Sequence, residues 1–299
     1  MTLALAIDVG GTSVKGELVD ADGTVLAART APTQRDPHAR DAIAEVGRTL
    51  LGDAGGRPVA AAGVVVPGVV DPAAGVATYS ANIGWRDLEL ARPLGEAWGL
   101  PVRLGNDVAS GGVAEHRTGA GRGVADQVFV SIGTGIAAAL LSDGKLQSRD
   151  GGATAELGHV AVRPGTTCGC GGDGCLEAVA SASAIARRYT ALSGRPAAGA
   201  RDVLDRLADD EAARMAWTEA VDALADGLTT VALLFGPGLV VIGGGLGQAG
   251  DRLLDPLRDA LAERARVVPA PPLATARHGA RAGVVGAALL ALDGWRAET

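Results

Sequence analysis

The 299-residue chain is poor in cysteine: it has three, and all of them fall between positions 168 and 175. An odd number of thiols packed into so short a window excludes a disulfide framework and points to a reducing compartment. Long hydrophobic runs are also missing. None reaches the roughly 18 residues that a membrane span needs. The apolar start Met1–Ile7 lacks a basic flank and is ended by Asp8, so it reads as a strand and not as a secretory leader. Together these absences lead to the expectation of a soluble, cytoplasmic protein with no membrane partner. Positive charge is sparse too. With 27 Lys and Arg against 34 Asp and Glu the net charge is −7, and no basic run or stripe occurs, which argues against nucleic acid as a partner. Glycine, in contrast, is plentiful: 45 residues, many beside apolar runs, as in strand-to-loop sites that hold phosphate. The length allows a sizeable core and about two domains.

The cysteine window supplies the first positive signal. Glu156-Leu157-Gly158-His159 is followed by Cys168-Gly169-Cys170-Gly171-Gly172-Asp173-Gly174-Cys175-Leu176-Glu177. His159, Cys168, Cys170 and Cys175 make a four-ligand set suited to tetrahedral zinc, with no vertex left open for catalysis. The intervening glycines let the backbone curl tightly enough for closely spaced thiolates to converge. Glu156 and Glu177 bracket this knuckle, so a rigid metal loop would hold two acidic acceptors in fixed places.

Elsewhere the pattern alternates strands with glycine loops. Leu3–Val9 reads as a buried strand running into Asp8-Val9-Gly10-Gly11-Thr12, with strands at Val14–Val19 and Thr24–Ala28 after it. A Gly-Gly-Thr loop offers bare N–H groups and a hydroxyl that can cradle phosphate, and Asp8 beside it could hold Mg²⁺ through water. Asp36–Leu51 reads as helix and Val59–Val66 as a strand that ends in Pro67-Gly68-Val69-Val70-Asp71, where small residues allow a ligand close to the main chain. Ser80–Trp85 reads as an irregular loop; its Asn82 suits either a turn cap or a bond to a ligand hydroxyl. A helix over Leu88–Trp98 and a strand over Pro101–Leu104 lead to Asn106-Asp107, and then to a helix over Val108–Arg117. An Asn-Asp pair at that junction is what a helix N-cap looks like.

The pattern then restarts. Strands at Gln127–Ile132 and Ile136–Leu141 enclose Gly133-Thr134-Gly135, and Asp143-Gly144 closes the hairpin as Asp22-Gly23 closes the first. This weak repeat, strand, Gly/Thr loop, strand and Asp-Gly turn, suggests two like domains around a shared nucleotide. That is the layout of the actin-like, ribonuclease-H-like ATPase fold, an α/β architecture with a nucleotide cleft between its domains. The smaller domain is expected over 1–118 plus a C-terminal helix at about 282–299, and the larger one, with the knuckle, over 119–281. Helices are expected at Leu176–Leu192, Ala200–Leu207, Glu211–Leu234 and Gln248–Ala265. A strand at Leu239–Ile242 runs into Gly243-Gly244-Gly245, where adenosine could lie against backbone, and the Ala-rich last helix, Ala282–Trp295, reads as a packing element.

The block from Glu156 to Glu177 resembles the signature of the ROK family (repressors, open reading frames, kinases), and the other motifs follow in that family's order from Asp8 to the C-terminal helix. With seven residues before Asp8, the winged helix-turn-helix of the repressors is not expected, and the kinase branch is. The resemblance implies transfer of phosphate from MgATP to an aldohexose, glucose first and at its 6-position, by an ATP-dependent glucokinase type of transferase of carbohydrate metabolism and glycolysis. It makes Asp107 the catalytic base and implies that Gly68, Asn82, Asn106, Asp107, Glu156, His159 and Glu177 hold the sugar. Asp8, Gly10, Gly11, Thr12, Lys15, Gly133, Thr134, Gly135, Gly244 and Gly245 would face ATP. His159 would serve twice, one ring nitrogen on structural Zn²⁺ and the other toward the sugar. A homodimer or homotetramer is implied as well.

Two departures bear on the substrate. The loop at Asn82 reads Asn-Ile-Gly-Trp, one residue shorter than the Asn-Leu-Pro-Gly-Trp frequent in the family, and Ala155 stands where the family often has glycine. An N-acetylmannosamine or N-acetylglucosamine kinase and a non-catalytic sugar sensor of the same fold are therefore the alternatives.

Overall fold

The computed structural model describes residues 2–34, 38–80, 83–148 and 155–298 of the chain. The chain divides into two compact units. The first takes in Met1–Ala114 and Arg281–Thr299; the second takes in Glu115–Gln147 and Ala155–Ala280.

The first unit opens with β1 (Leu3–Val9), β2 (Ser13–Asp20) and β3 (Val25–Pro32), an antiparallel meander. Its second turn is fixed locally, because the Asp20 carboxylate accepts the N–H groups of Asp22 and Thr24 at 3.0 and 2.9 Å and Gly23 takes φ +84°. After α1 (Ala39–Gly52), β4 (Val59–Val66) pairs parallel with β1. A small antiparallel sheet follows, β5 (Val69–Asp71), β6 (Val76–Ser80) and β7 (Trp85–Glu89). Then come α2 (Ala91–Trp98), β8 (Val102–Asn106), parallel to β4, and α3 (Asp107–Thr118). The main sheet thus has the order β3-β2-β1-β4-β8.

Alternation along β1 sorts the two faces of this sheet. Leu3, Leu5, Ile7 and Val9 pack with Ile43, Val46 and Leu50 of α1 and with Leu94 and Trp98 of α2. Ala4 and Ala6 face the other way, into a core with Ala61 and Val65 of β4 and with the last helix of the chain. Small side chains on that second face let the helix come close. A methyl on Gly63 would lie 2.0 Å from the Ala287 carbonyl oxygen, so helix backbone rests directly on strand backbone there.

The second unit repeats the plan with its own residues. Strands β9 (Gln127–Ile132), β10 (Ile136–Ser142) and β11 (Lys145–Leu146) form the antiparallel part. A 3₁₀ turn at Leu157–His159 precedes α4 (Leu176–Ala180), α5 (Ala182–Ser193), α6 (Ala200–Leu204) and α7 (Glu211–Phe235). Strand β12 (Leu239–Gly243) joins β9 in parallel, the short α8 (Gly244–Gly247) and α9 (Asp251–Arg264) follow, and β13 (Leu273–Thr275) joins β12 in parallel. The order β11-β10-β9-β12-β13 is the same arrangement of antiparallel hairpins and parallel additions as in the first sheet. The core here is a single cluster around Val128, Val130, Leu176, Tyr189, Trp217, Leu224 and Leu257. Last comes α10 (Ala282–Glu298), which belongs to the first unit.

Several sequence expectations need correction. The ends of the expected loop Ser80–Trp85 belong to strands: Ser80 pairs with Trp85, and the Gly84 N–H donates to Ser80 O at 2.8 Å, while Ala81 and Asn82 lie outside the described residues. Leu88 and Glu89 lie in β7 and not in a helix, because β6 supplies them with strand partners. The helix expected over Leu176–Leu192 is broken at Ser181, whose hydroxyl caps α5 by accepting the Ala184 N–H at 3.2 Å. The helix expected from Gln248 begins at Asp251, after Gly250 at φ +57°. Strand β3 runs four residues beyond Ala28, carried along by its ladder to β2.

Candidate active site

In the first unit the expected site residues gather at the carboxyl ends of β1, β4 and β8, where open parallel sheets place ligand sites. Asp8 stands one residue from the end of β1, opposite Val65 on one side and Lys15 on the other. The Gly10–Thr12 turn is tight: the Gly10 N–H donates to Ser13 O at 2.8 Å, and the Thr33 hydroxyl closes it by donating to Gly10 O at 2.7 Å. Gly11 has nothing within 4 Å of where a side chain would begin, so its backbone is open to a ligand.

At the end of β8 the two members of the Asn-Asp pair divide the work. Asn106 is the cap: its Oδ1 accepts the Ala109 N–H at 2.8 Å while its Nδ2 donates to Gly68 O at 2.9 Å. Gly68 takes φ +96°, and a methyl there would sit 2.1 Å from the Tyr79 carbonyl oxygen, so only glycine lets β6 pass this close. Asp107 is left with the adjacent Val108 N–H, accepted by Oδ1 at 2.8 Å. Burial, and after it the nearby charge of Asp8, push the Asp107 carboxyl up to about 6, against the pull of its backbone hydrogen bonds. Burial likewise lifts Asp8 to about 6, opposed by Lys15. Two carboxyls held near neutrality beside a glycine loop are a group suited to moving a proton and meeting a cation. Asn82 lies outside the described residues.

In the second unit, the remaining residues assemble around Ile136. The Glu177 carboxylate accepts the Ile136 N–H at 2.8 Å, and a methyl on Gly135 would lie 2.3 Å from Glu177 Oε2. Gly158 rests against the other side of the same residue, since a methyl there would meet Ile136 O at 2.1 Å. The Gly133–Gly135 loop is further tied by Ala182 N–H to Gly133 O at 2.9 Å. Gly244, at φ +72°, packs on the Ile132 backbone, while Gly245 has open space. Glu156, which is exposed, follows Ala155 at φ +65°, a left-handed conformation that an L side chain adopts at a cost of roughly 1–2 kcal/mol.

The metal-type cluster forms as one group. His159, Cys168, Cys170 and Cys175 bring one ligand atom each to within 4.8 Å of all the others. Cys168 Sγ stands 3.8 Å from His159 Nδ1, and Cys170 Sγ 3.7 Å from Cys175 Sγ. Thiolates about 2.3 Å from a central zinc stand roughly 3.8 Å apart at the corners of a tetrahedron, so the donor set fits the ion. Burial, with the neighbouring thiols, pushes the Cys175 thiol up to about 12, so a cation is what would let that sulfur join the cluster as a thiolate, whereas the Gly172 N–H and the other thiols already pull Cys170 down. The Gly172 N–H donates to Cys170 Sγ at 3.4 Å, and the knuckle is closed by Cys168 N–H to Gly172 O at 2.9 Å. With Nδ1 on the metal side, His159 keeps Nε2 for another partner.

Sequence reasoning passed over Glu115. Fully buried, its carboxylate accepts the N–H groups of Ala120, Arg277 and His278 at 2.8, 3.0 and 2.7 Å and ties the end of α3 to the segment after β13. No local pattern marks it, because its partners lie up to 163 residues away.

The ROK family model matches residues 4–294. A glucokinase of Streptomyces coelicolor is 32% identical, over 98% of both chains. An N-acetylmannosamine kinase of Escherichia coli is also 32% identical, over 96% of this chain and 97% of that one. Among solved structures, a ROK family glucokinase from Streptomyces griseus in complex with glucose and AMPPNP superposes with a TM-score of 0.85 at 29% identity, covering 97% of this chain and 99% of that one. The chain belongs to the ROK family, with the mixed α/β, actin-like ATPase fold of that family's hexokinases.

Proposed function

We propose that the protein transfers the γ-phosphoryl group of MgATP to a hydroxyl of an aldohexose, glucose to glucose 6-phosphate. The observation that carries this reading is the division of labour at the β8–α3 junction. Asn106 takes over the helix cap and Asp107, lifted to about 6, is kept for a proton. Asp107 accepts the proton of the attacking hydroxyl and directs its oxygen at phosphorus. Asn106, Glu156, His159 Nε2 and the second oxygen of Glu177 bind the other hydroxyls, with Asn82 and the Gly68 backbone as further contacts. The N–H groups of Gly10–Thr12 and Gly133–Gly135 receive phosphate oxygens, with Lys15 as countercharge, Gly244 and Gly245 bear the adenosine, and Asp8 faces magnesium through water. Catalysis then rests on positioning and electrostatics, as phosphoryl transfer requires. Zinc, when bound by His159 and the three cysteines, stiffens the knuckle and fixes the His159 tautomer. Because that site needs reduced thiols, we place the protein in the cytoplasm, as a homodimer or homotetramer.

The N-acetylmannosamine kinase stands at the same 32% identity as the glucokinase, so an amino-sugar kinase is the second reading. A coupled assay with ATP over glucose, mannose, N-acetylmannosamine and N-acetylglucosamine tests both. The highest kcat/KM on glucose is expected. The highest value on an N-acetylhexosamine would replace the first reading by the second, and ATP use that does not respond to any sugar would overturn both.

A further inference from the structure

The C-terminal helix α10 reads from sequence as a plain Ala-rich packing element, yet two of its glycines touch the catalytic end of the first unit. Gly283 lies in its first turn, and the Asp8 carboxylate rests on it: a methyl there would sit 2.7 Å from Asp8 Cγ and Oδ2 and 2.9 Å from Oδ1. Gly286, three residues on and therefore on the same helix face, carries the first turn of α3. A methyl at 286 would lie 2.3 Å from Ser110 O. Ser110 is in turn three residues beyond Asp107, on the same turn of its own helix.

Alternation along β1 explains why the helix and Asp8 meet. Asp8 belongs with Ala4 and Ala6 on the face that α10 covers. Farther down the helix, Gly63 lies 2.0 Å, measured from its would-be methyl, from Ala287 O, so α10 has no room to retreat toward the strands. At its start the helix is pinned from the side. Arg281 makes a two-pronged pair with Glu17 on β2, with Nε to Oε1 at 2.9 Å and Nη2 to Oε2 at 2.7 Å. One rigid rod, anchored at both places, thus supports Asp8 through Gly283 and the Asp107 turn through Gly286.

We infer that Gly283 and Gly286 are positioning residues for the reaction: the first turns of α10 are a common seat that sets the separation between Asp8 and Asp107. This rests on the kinase reading above for its consequence in turnover, though not for its geometry. A methyl at either position must displace one carboxylate relative to the other, because its neighbours at 2.3–2.9 Å include backbone or the carboxylate itself. Sugar binding, which needs Asn106 and the residues of the second unit, would be little affected at Gly283, which touches the Asp8 carboxylate alone, whereas at Gly286 the turn that Asn106 caps moves as well.

The test is Gly283→Ala and Gly286→Ala, each with a crystal structure and with kcat and KM for sugar and for MgATP. The expected result is a fall in kcat of at least tenfold in both, with sugar KM within about threefold in Gly283→Ala, and an Asp8 or Asp107 carboxylate moved by about 1 Å or more. Leu50→Ala, on the opposite face of the sheet, is the control for lost stability and should lower the melting temperature without the kcat loss. If a glycine variant does not fold, Arg281→Ala loosens the same helix start from an exposed position, and kcat should fall two- to fivefold with sugar KM unchanged. Unmoved carboxylates, or unchanged kcat in the folded variants, would overturn the inference. A wild-type protein without kinase activity would refute the function proposed above, while the crystal structures would still decide whether α10 sets the spacing.

Discussion

Glu177 holds the backbone N–H of Ile136 at 2.8 Å, so a side chain just after the cysteine knuckle fixes the exit of the second glycine loop. Gly158, from the turn before the knuckle, presses on the carbonyl of the same Ile136. The Glu156–Glu177 motif and the Gly133–Gly135 loop of the second unit are therefore one mechanical piece, joined at a residue that belongs to neither motif.

That link gives Glu177→Ala a particular signature. Removing the carboxylate leaves a buried N–H without its acceptor, which costs about 1–3 kcal/mol. The KM for ATP should rise together with the KM for sugar, since the loop loses its anchor. A variant whose sugar KM alone changes would show that the hydrogen bond has no bearing on the loop.

The knuckle should hold about one zinc per chain, as a closed four-ligand site does. Cys175→Ser is expected to lower both zinc content and melting temperature, because the metal's binding energy is folding energy for the loop that carries it. Stripping zinc from the wild type with a chelator should give the same loss of stability. Full activity in protein shown by metal analysis to be zinc-free would dispose of the structural role.

Ala155 at φ +65° makes an opposite kind of prediction. Glycine removes a left-handed strain of roughly 1–2 kcal/mol and adds unfolded-chain entropy worth about 0.4–1 kcal/mol. Ala155→Gly should therefore stabilise the protein by up to ~1.6 kcal/mol, read from denaturant midpoints. Because Glu156 is the next residue, sugar affinity is the second readout. A clear loss of stability would mean that the alanine side chain has packing value that outweighs its backbone strain.

Much of this architecture was legible in the residues, and the limits have physical causes. Gly-Gly-Thr and Gly-Thr-Gly between apolar alternations marked both hairpins because each loop is two glycines and one small hydroxyl residue between apolar strands. The β5-β6-β7 sheet was not legible: its strands are three to five residues long and Ser80–Trp85 looks like loop until its two ends pair. Leu88 and Glu89 suit a helix locally, and only β6 decides otherwise. Ser181 carried a readable cap signal, which the apolar run around it masked. The roles of Glu115, Gly283 and Gly286 had no local sign at all. Each is set by partners far away in sequence, and an Ala/Gly helix looks the same whether it rests on leucines or on a carboxylate.

Asp107 stands at about 6 in the folded protein against an ordinary value near 4, raised by burial and by Asp8. A carboxyl shifted upward by folding favours the folded state fully below its unfolded value, and that contribution is lost as pH rises through about 6. Asp107→Asn removes the charge, so the ligand-free variant should melt higher than wild type at pH 7.5 and about equally at pH 4. Turnover should move the other way. Asparagine is close in shape and accepts a hydrogen bond but takes no proton, and general-base catalysis is typically worth ~10²–10⁴-fold. Its kcat should fall by that order, with sugar affinity changed by less than about tenfold, or ~1.4 kcal/mol. In wild type, kcat/KM should climb with pH through about 6 as the free carboxyl ionises. The cap function is no obstacle to this reading, because Asn106 already performs it. Retained kcat in Asp107→Asn, together with an unchanged melting temperature at pH 7.5, would show that Asp107 neither carries the proton nor bears a destabilising charge, and Glu156 would become the next residue to test as the base.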